Sequence, residues 1–159
     1  MEQFFIQNGD IVLRLVIAMF LGMLVGTERF LARKEAGVRT HALVSVGSAL
    51  FVIISEIVMQ NYANMGAFDP MRMASQIVVG IGFLGAGSII LEGSRLKGLT
   101  TAGGLWVTAG IGMAAGFGLF GLATISTVLV LLILIFVYIL EKPLLKISEK
   151  NDTAEKTDN

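Results

Sequence analysis

The chain has no cysteine, a single histidine and few charges: only 15% of its 159 residues are Asp, Glu, Lys or Arg, and acids and bases cancel to a formal net charge of zero. Without cysteine there is no disulfide framework, no thiolate metal site and no thiol nucleophile, and the redox compartment cannot be read. One imidazole excludes a multi-histidine zinc centre. A balanced charge provides no overall field to draw the chain onto nucleic acid or an acidic partner, so no nucleic-acid role is expected.

Apolar surface and glycine are abundant instead. The chain is 55% hydrophobic with 19 glycines, and its mean hydropathy is +0.80. Such a composition lies outside the range of soluble domains and needs lipid around it. Glycine costs a water-exposed helix about 1 kcal/mol relative to Ala, whereas in a bilayer small residues let helix backbones meet. The expected class is an all-α membrane protein of about five transmembrane helices with glycine-rich packing, and the lipid bilayer is its first partner.

Apolar runs cover about residues 10–27, 41–59, 74–91, 101–115 and 117–140. Most approach the roughly 20 residues that cross about 30 Å of hydrocarbon. The stretch before the first run carries Glu2 and Asp10 but no Lys or Arg. It therefore lacks the positive flank of a signal peptide, so residues 1–9 read as a short extracytoplasmic N-terminus and the first run as a retained helix. The fourth run is short and rich in glycine, and a four-span reading would make it re-entrant, tolerable only where other helices bury its backbone. Charge favours five spans. Arg29, Arg33, Lys34, Arg39, Arg95, Lys97, Lys142, Lys146, Lys150 and Lys156 then share one side and Arg72 lies on the other, which places the N-terminus outside and the C-terminus inside by the positive-inside rule. Residues 141–159 are polar after Pro143 and are expected to form a disordered cytoplasmic tail.

A weak repeat relates Leu21-Gly22-Met23-Leu24 and Gly37-Val38-Arg39-Thr40 to Ile81-Gly82-Phe83-Leu84 and Gly98-Leu99-Thr100-Thr101. A genuine duplication would be of the parallel type, and coincidence explains so few identities equally well.

Charged groups inside spans are costly and are read as functional by default. Arg14 and Glu56 each lie about one turn inside the outer ends of their helices, level with each other in antiparallel neighbours. They suit an ion pair or snorkelling, and Glu56 alone would suit a proton or cation site. The densest polar cluster is Glu28, Arg29, Arg39, Thr40 and His41 on the cytoplasmic side, where Thr40 and His41 open the second helix and can cap it. Arg39 and Thr40 suit a phosphate, Glu28 a cation or an arginine partner. Glu92, Thr100 and Thr101 repeat the arrangement between the third and fourth helices. If Glu28 and Glu92 met, they would offer the oxygen ligands Mg2+ prefers. Capping and topology-setting charge explain both clusters without any ligand.

Gly22 and Gly26, Gly112 and Gly116, and the string Gly80, Gly82, Gly85 and Gly87 read as packing seams; the last also permits an unwound stretch beside an ion path. None of these is a phosphate loop, since no strand precedes and no Gly-Lys-Ser/Thr follows. No base–serine pair or multi-ligand site is visible, so no catalytic residues are expected and the chain is not read as an enzyme.

Taken together, Glu28-Arg29, Ala36-Gly37-Val38-Arg39-Thr40-His41-Ala42-Leu43-Val44, Gly80-Ile81-Gly82-Phe83-Leu84-Gly85-Ala86-Gly87 and Gly98-Leu99-Thr100-Thr101-Ala102 with Trp106 resemble the MgtC/SapB family in order and spacing, from the first helix to Gly118. The resemblance implies a multi-pass protein of the bacterial inner membrane, associated with growth at low magnesium, virulence or acid resistance. Its expected function is to sense or move an ion, Mg2+ or a proton, through Glu28, Arg39, Glu56 and Glu92. The alternative is a non-transporting regulator that docks on another membrane complex, with ATP synthase as the candidate the resemblance suggests, or that associates with itself. Two departures stand out. Virulence-type members continue into a soluble domain that is not expected here, and Thr100 stands where those members carry Asn, losing the amide's extra donor.

Overall fold

The structure, a computed structural model, describes the backbone of residues 2–61 and 69–157 and the side chains of residues 8–61, 69 and 71–139. Five helices, α1 (Glu2–Leu31), α2 (Val38–Asn61), α3 (Pro70–Gly87), α4 (Leu99–Gly116) and α5 (Phe120–Thr157), are joined by short connections, with a hairpin of β1 (Ile90–Glu92) and β2 (Arg95–Lys97) between α3 and α4. Three segments are long and apolar enough to cross a bilayer, 8–31, 38–61 and 120–139, and 71–87 of α3 is a shorter apolar stretch.

The distribution of side chains is that of a membrane protein. Many large apolar groups point outward, with Phe83 81% exposed and Leu43 73% exposed, while Ala, Ser and Thr make up much of the interior beside a few Val, Ile and Leu. In water such an exterior would be an aggregation patch; in lipid it is the solvated face. The main core joins Ala18, Leu21 and Val25 of α1 to Ala49 of α2, Ile111, Ala114 and Ala115 of α4 and Ala123 of α5. A second cluster sets Ala36 beside Ile81, Leu105 and Ala109.

α4 is the hub, touching α1, α2, α3 and α5. The run that is shortest in sequence folds as an unbroken helix of 18 residues, about 27 Å long at 1.5 Å per residue. Its glycines explain the position. A Cβ on Gly112 would lie 2.2 Å from the Ser45 carbonyl oxygen, and one on Gly116 2.9 Å from Ala49 Cα. On the other side of α2, a Cβ on Gly22 would come within 2.7 Å of the His41 oxygen and of Ser45 Cβ, and one on Gly26 within 2.6 Å of Val38 Cα. α2 is thus clasped between two small-xxx-small seams, from α1 and from α4.

The α3 glycines behave differently from the expected seam. Gly85 makes ordinary contact with Ala102, but a Cβ on Gly80, Gly82 or Gly87 would meet nothing within 4 Å. Those positions are open, so the two halves of the weak repeat pack by different rules, and α3 is continuous from Pro70 to Gly87 rather than unwound.

Boundaries also differ from the apolar runs. α3 starts before residue 74 because Asp69 caps it, its Oδ1 accepting from the Met71 amide at 2.9 Å with Pro70 in the first turn, the favoured N-terminal arrangement. It stops at Gly87, and residues 90–91 of the third apolar run form strand β1 instead. The pairing Leu91 with Leu96 and Glu92 with Arg95 leaves the two-residue turn Gly93-Ser94, with Gly93 at φ +63°, and glycine is the residue that reaches such a turn without strain. α2 begins at Val38, so Thr40 lies inside its first turn rather than at its cap. α5 continues to Thr157 through the segment expected to be an unfolded tail; its Glu, Lys, Leu and Ala residues are good helix formers.

Candidate functional site

Polar groups collect at both ends of α2 and along the side it turns inward. At one end, the last turn of α1 holds Arg29, only 3% exposed, whose Nε donates to the Glu28 carboxylate. Beside it His41 is fully buried, with Nδ1 3.0 Å from the Gly37 carbonyl oxygen. That carbonyl can only accept, so Nδ1 carries the hydrogen between them. Nε2 has no partner among the described residues. It faces Gly104 of α4, where a Cβ would lie 3.3 Å from Nε2 and 3.9 Å from Arg29 Cδ. The absence of a side chain at 104 leaves room for the imidazole beside α4.

The neighbouring loop is tied to α4 by Thr101, fully buried, whose hydroxyl donates to Glu35 Oε2 at 2.9 Å. The Glu35 carboxyl is held below the usual carboxylate range, first by a bond from its own backbone N–H and then by the Thr101 hydroxyl. α4 starts at Gly98 with no side-chain cap, so an acid at its first turn also meets the positive end of the helix dipole.

At the other end, Arg14 binds three chain segments. Its Nη1 donates to Glu56 Oε2 of α2 at 2.6 Å and to the Gly116 carbonyl of α4 at 2.9 Å, and Nη2 lies 2.8 Å from Asp10 Oδ2. The guanidinium rests against Gly118, which holds φ +73° in the turn to α5. A cation on the last carbonyls of α4 is favoured by the helix dipole. Of the readings open for Arg14 and Glu56, the structure shows the ion pair.

Between these ends the buried side of α2 carries His41, Ser45 and Ser48, then the apolar Ala49, Val52 and Ile53, then Ser55 beside the half-buried Glu56, a file that climbs about 22 Å at 1.5 Å per residue. The hydroxyls of Ser45 and Ser55, like Arg14 Nε, have no hydrogen-bond partner among the described residues. Thr108 and Thr127 instead bond within their own helices, to Gly104 O at 2.7 Å and Ala123 O at 2.8 Å. A buried polar atom without a partner costs about 1–3 kcal/mol, so two such hydroxyls and an imidazole nitrogen on one helix ask for a function. At Ser45 the file is closed, because Gly22 and Gly112 press on that residue from both sides.

The remaining expected residues are spread out. Arg39, Thr40 and Thr100 are exposed. Glu92 is 67% exposed on the hairpin and paired with Lys97, while Glu28 is paired with Arg29. Each carboxylate thus has its own cation, and no group of three or more His, Asp or Glu among the described residues could hold a metal. This donor set does not fit the oxygen-rich shell of a resident Mg2+ at Glu28 and Glu92. Sequence reasoning missed Glu35 and the orphan hydroxyls of Ser45 and Ser55. Glu35 is marked only by being an acid inside a basic loop; the serines are marked by lying 4 and 14 residues after His41, one and four helical turns on along the same side.

Comparison with known proteins follows the same residues. A family profile described as the MgtC family matches residues 15–142, a stretch that holds every group above except Asp10 and Arg14. YhiD of Escherichia coli (strain K12), named provisionally as a magnesium transporter, is 41% identical over 129 residues, covering 80% of this chain and 60% of that protein. MgtC of Salmonella typhimurium (strain LT2) is 45% identical over 120 residues, 76% of this chain and 49% of that one. An uncharacterised protein of Haemophilus influenzae is 43% identical over 122 residues, 74% and 51% of the two chains. The chain therefore spans about half to three fifths of these relatives' lengths. No solved structure matches it.

Proposed function

We propose that this chain, which belongs to the MgtC family, is a multi-pass inner-membrane protein of bacterial magnesium homeostasis or of adaptation to acid and low magnesium, and that it senses or moves an ion through the polar groups between its helices. A magnesium-related membrane role accords with the family and with the name of YhiD. The observation that carries the finer reading is the α2 file: His41 Nε2, Ser45 Oγ and Ser55 Oγ, buried and without partners among the described residues, between Glu28–Arg29 at one end and Arg14–Glu56 at the other. These are single hydrogen-bonding groups rather than a carboxylate cage, so they suit a proton or a water-borne ion better than a stripped Mg2+. Passage requires α1 and α4 to ease away from Ser45; sensing requires only that protonation or ion contact at one end be felt along α2. The ends of α2 face opposite membrane surfaces in the orientation with the N-terminus outside and the C-terminus inside.

Purified protein in liposomes carrying a Mg2+ or pH reporter tests this reading. Flux or a saturable reporter shift that depends on Glu56 and His41 is expected. A flat trace for both ions, with correctly folded protein, would count decisively against movement and leave sensing to be judged by ion-dependent changes in thermal stability.

A second reading has its own observation. The α3 face of Gly82 and the 81%-exposed Phe83 is open, a Cβ on Gly82 meeting nothing within 4 Å among the described residues, as a regulator docking on another membrane complex, ATP synthase included, would require. Crosslinking in native membranes from cysteines placed on that face distinguishes the two readings by what it captures.

A further inference from the structure

Two cavities meet at Leu84, one in the seam between α2 and α3 and the other at the end of that seam, among the α1–α2 loop, α3 and α4. The larger, about 430 Å3, is apolar and bordered by Leu43, Gly47 and Phe51 of α2 and Ile77, Gly80 and Leu84 of α3. The second, about 380 Å3, is bordered by Leu84 again and opens among Glu35, Thr40, Ser88 and Thr101. Each falls in the range of roughly 300–1,000 Å3 typical of small-molecule sites. Glycine makes the room: a side chain on Gly47, Gly80 or Gly87 would point into open space.

The polarity changes along this seam as it does across a lipid. Glu35 lies three residues before α2, whose apolar span begins at Val38, so the mouth sits at headgroup depth and the apolar cavity at the depth of acyl chains. Glu35 is the only ionisable side chain that borders either cavity, and no Lys or Arg does. Its carboxylate is fixed by Thr101 and stays ionised through the neutral range. Hydroxyls of Thr40 and Thr101 stand beside it. Lys34 and Lys97 lie close enough to act on that carboxylate, so the mouth carries both signs and matches a zwitterionic headgroup whose ammonium meets Glu35.

We propose that the α2–α3 seam is a binding site for one amine-headed phospholipid, with an acyl chain along Leu43, Gly47 and Gly80 and the ammonium on Glu35. A lipid bound there bridges α2 to α3, two helices with few close contacts of their own beyond Val44, Ile77 and Ile81. This site is separate from the α2 file, and its test does not depend on ion handling.

Native mass spectrometry of the full chain in detergent, titrated with phosphatidylethanolamine, phosphatidylcholine or phosphatidylglycerol of matched chains, reads the site directly. Phosphatidylethanolamine is expected to be retained about five-fold better than phosphatidylglycerol, the ratio a single charged contact at a membrane surface supplies. Glu35→Gln should erase that preference while keeping chain binding. Gly80→Leu should lose both, whereas Gly82→Leu, one turn face away and equally open, should bind as the wild type does. Equal retention of the three lipids, a preference that survives Glu35→Gln, or dimers in place of lipid adducts would overturn the proposal.

Discussion

Replacing Gly112 with alanine is the sharpest probe of how the bundle is built. A Cβ there would stand 2.2 Å from the Ser45 carbonyl oxygen and 2.8 Å from Ser45 Cα. Both are backbone atoms, so neither can swing aside, and α2 must retreat by roughly 1 Å to restore ordinary contact, an overpacking cost of about 1–3 kcal/mol. Against this, alanine is the better helix former by about 1 kcal/mol. The steric term wins, leaving a net loss of about 2 kcal/mol at the upper end, or a fall in Tm of roughly 4–8 °C for a chain of this size. Gly103 and Gly110 lie in the same helix with nothing within 4 Å of a Cβ, so Gly103→Ala and Gly110→Ala are expected to match the wild type or gain up to about 1 kcal/mol. The assay is thermal unfolding in detergent followed by Trp106, the only tryptophan. If Gly112→Ala melted with Gly110→Ala, the α2–α4 seam would not be the close backbone contact described, and the account of α4 as hub would fail.

Further outcomes follow from the polar groups. Removing Glu56 leaves Arg14 with Asp10 and the Gly116 carbonyl, so Glu56→Gln and Arg14→Gln should each cost about 1–3 kcal/mol for these half-buried groups. The double variant should cost clearly less than the sum, and additivity in detergent melts would show that the pair is not coupled. For Glu35, a folded-state pKa below 4.5 means that ionisation favours the fold. That contribution is complete above the ordinary carboxylate range and disappears as pH falls through the lowered value. Wild type should therefore exceed Glu35→Gln in stability at neutral pH and converge with it in acid, and a gap that widens on acidification would contradict the sign.

Much of the architecture is legible in the apolar runs, because a helix solvated by lipid needs a long stretch without charge and polar loops separate the first four, while the Gly116 to Leu119 turn parts the last two. The pairing of Arg14 with Glu56 is legible too, since two charges one turn inside adjacent spans have few other places to go. The internal face of α2 is not. Lipid-facing Leu and Phe and inward-facing Ser and Ala form one apolar run, so nothing in the run itself says that Ser45 meets glycines on two sides while Leu43 meets lipid. The α3 glycines show the same limit from the other direction: their spacing suits close packing, but whether a partner helix is present is a tertiary fact. Ile90 and Leu91 were part of an apolar run that the Gly93 turn folds back as a strand. Glu35 is brought to Thr101 by the loop's path, 66 residues apart in sequence, and no local pattern encodes that distance.

The central claim, that function resides in the buried polar groups around α2, is tested most directly by growth of a bacterium lacking the endogenous gene, at limiting magnesium and at low pH. The strain would be complemented with wild type and with Glu28→Gln, His41→Gln, Glu56→Gln or Glu92→Gln at matched membrane levels. The account predicts rescue by wild type and by the variant at exposed, hairpin-bound Glu92, and failure by the three buried-site variants. Full rescue by Glu28→Gln, His41→Gln and Glu56→Gln would contradict it.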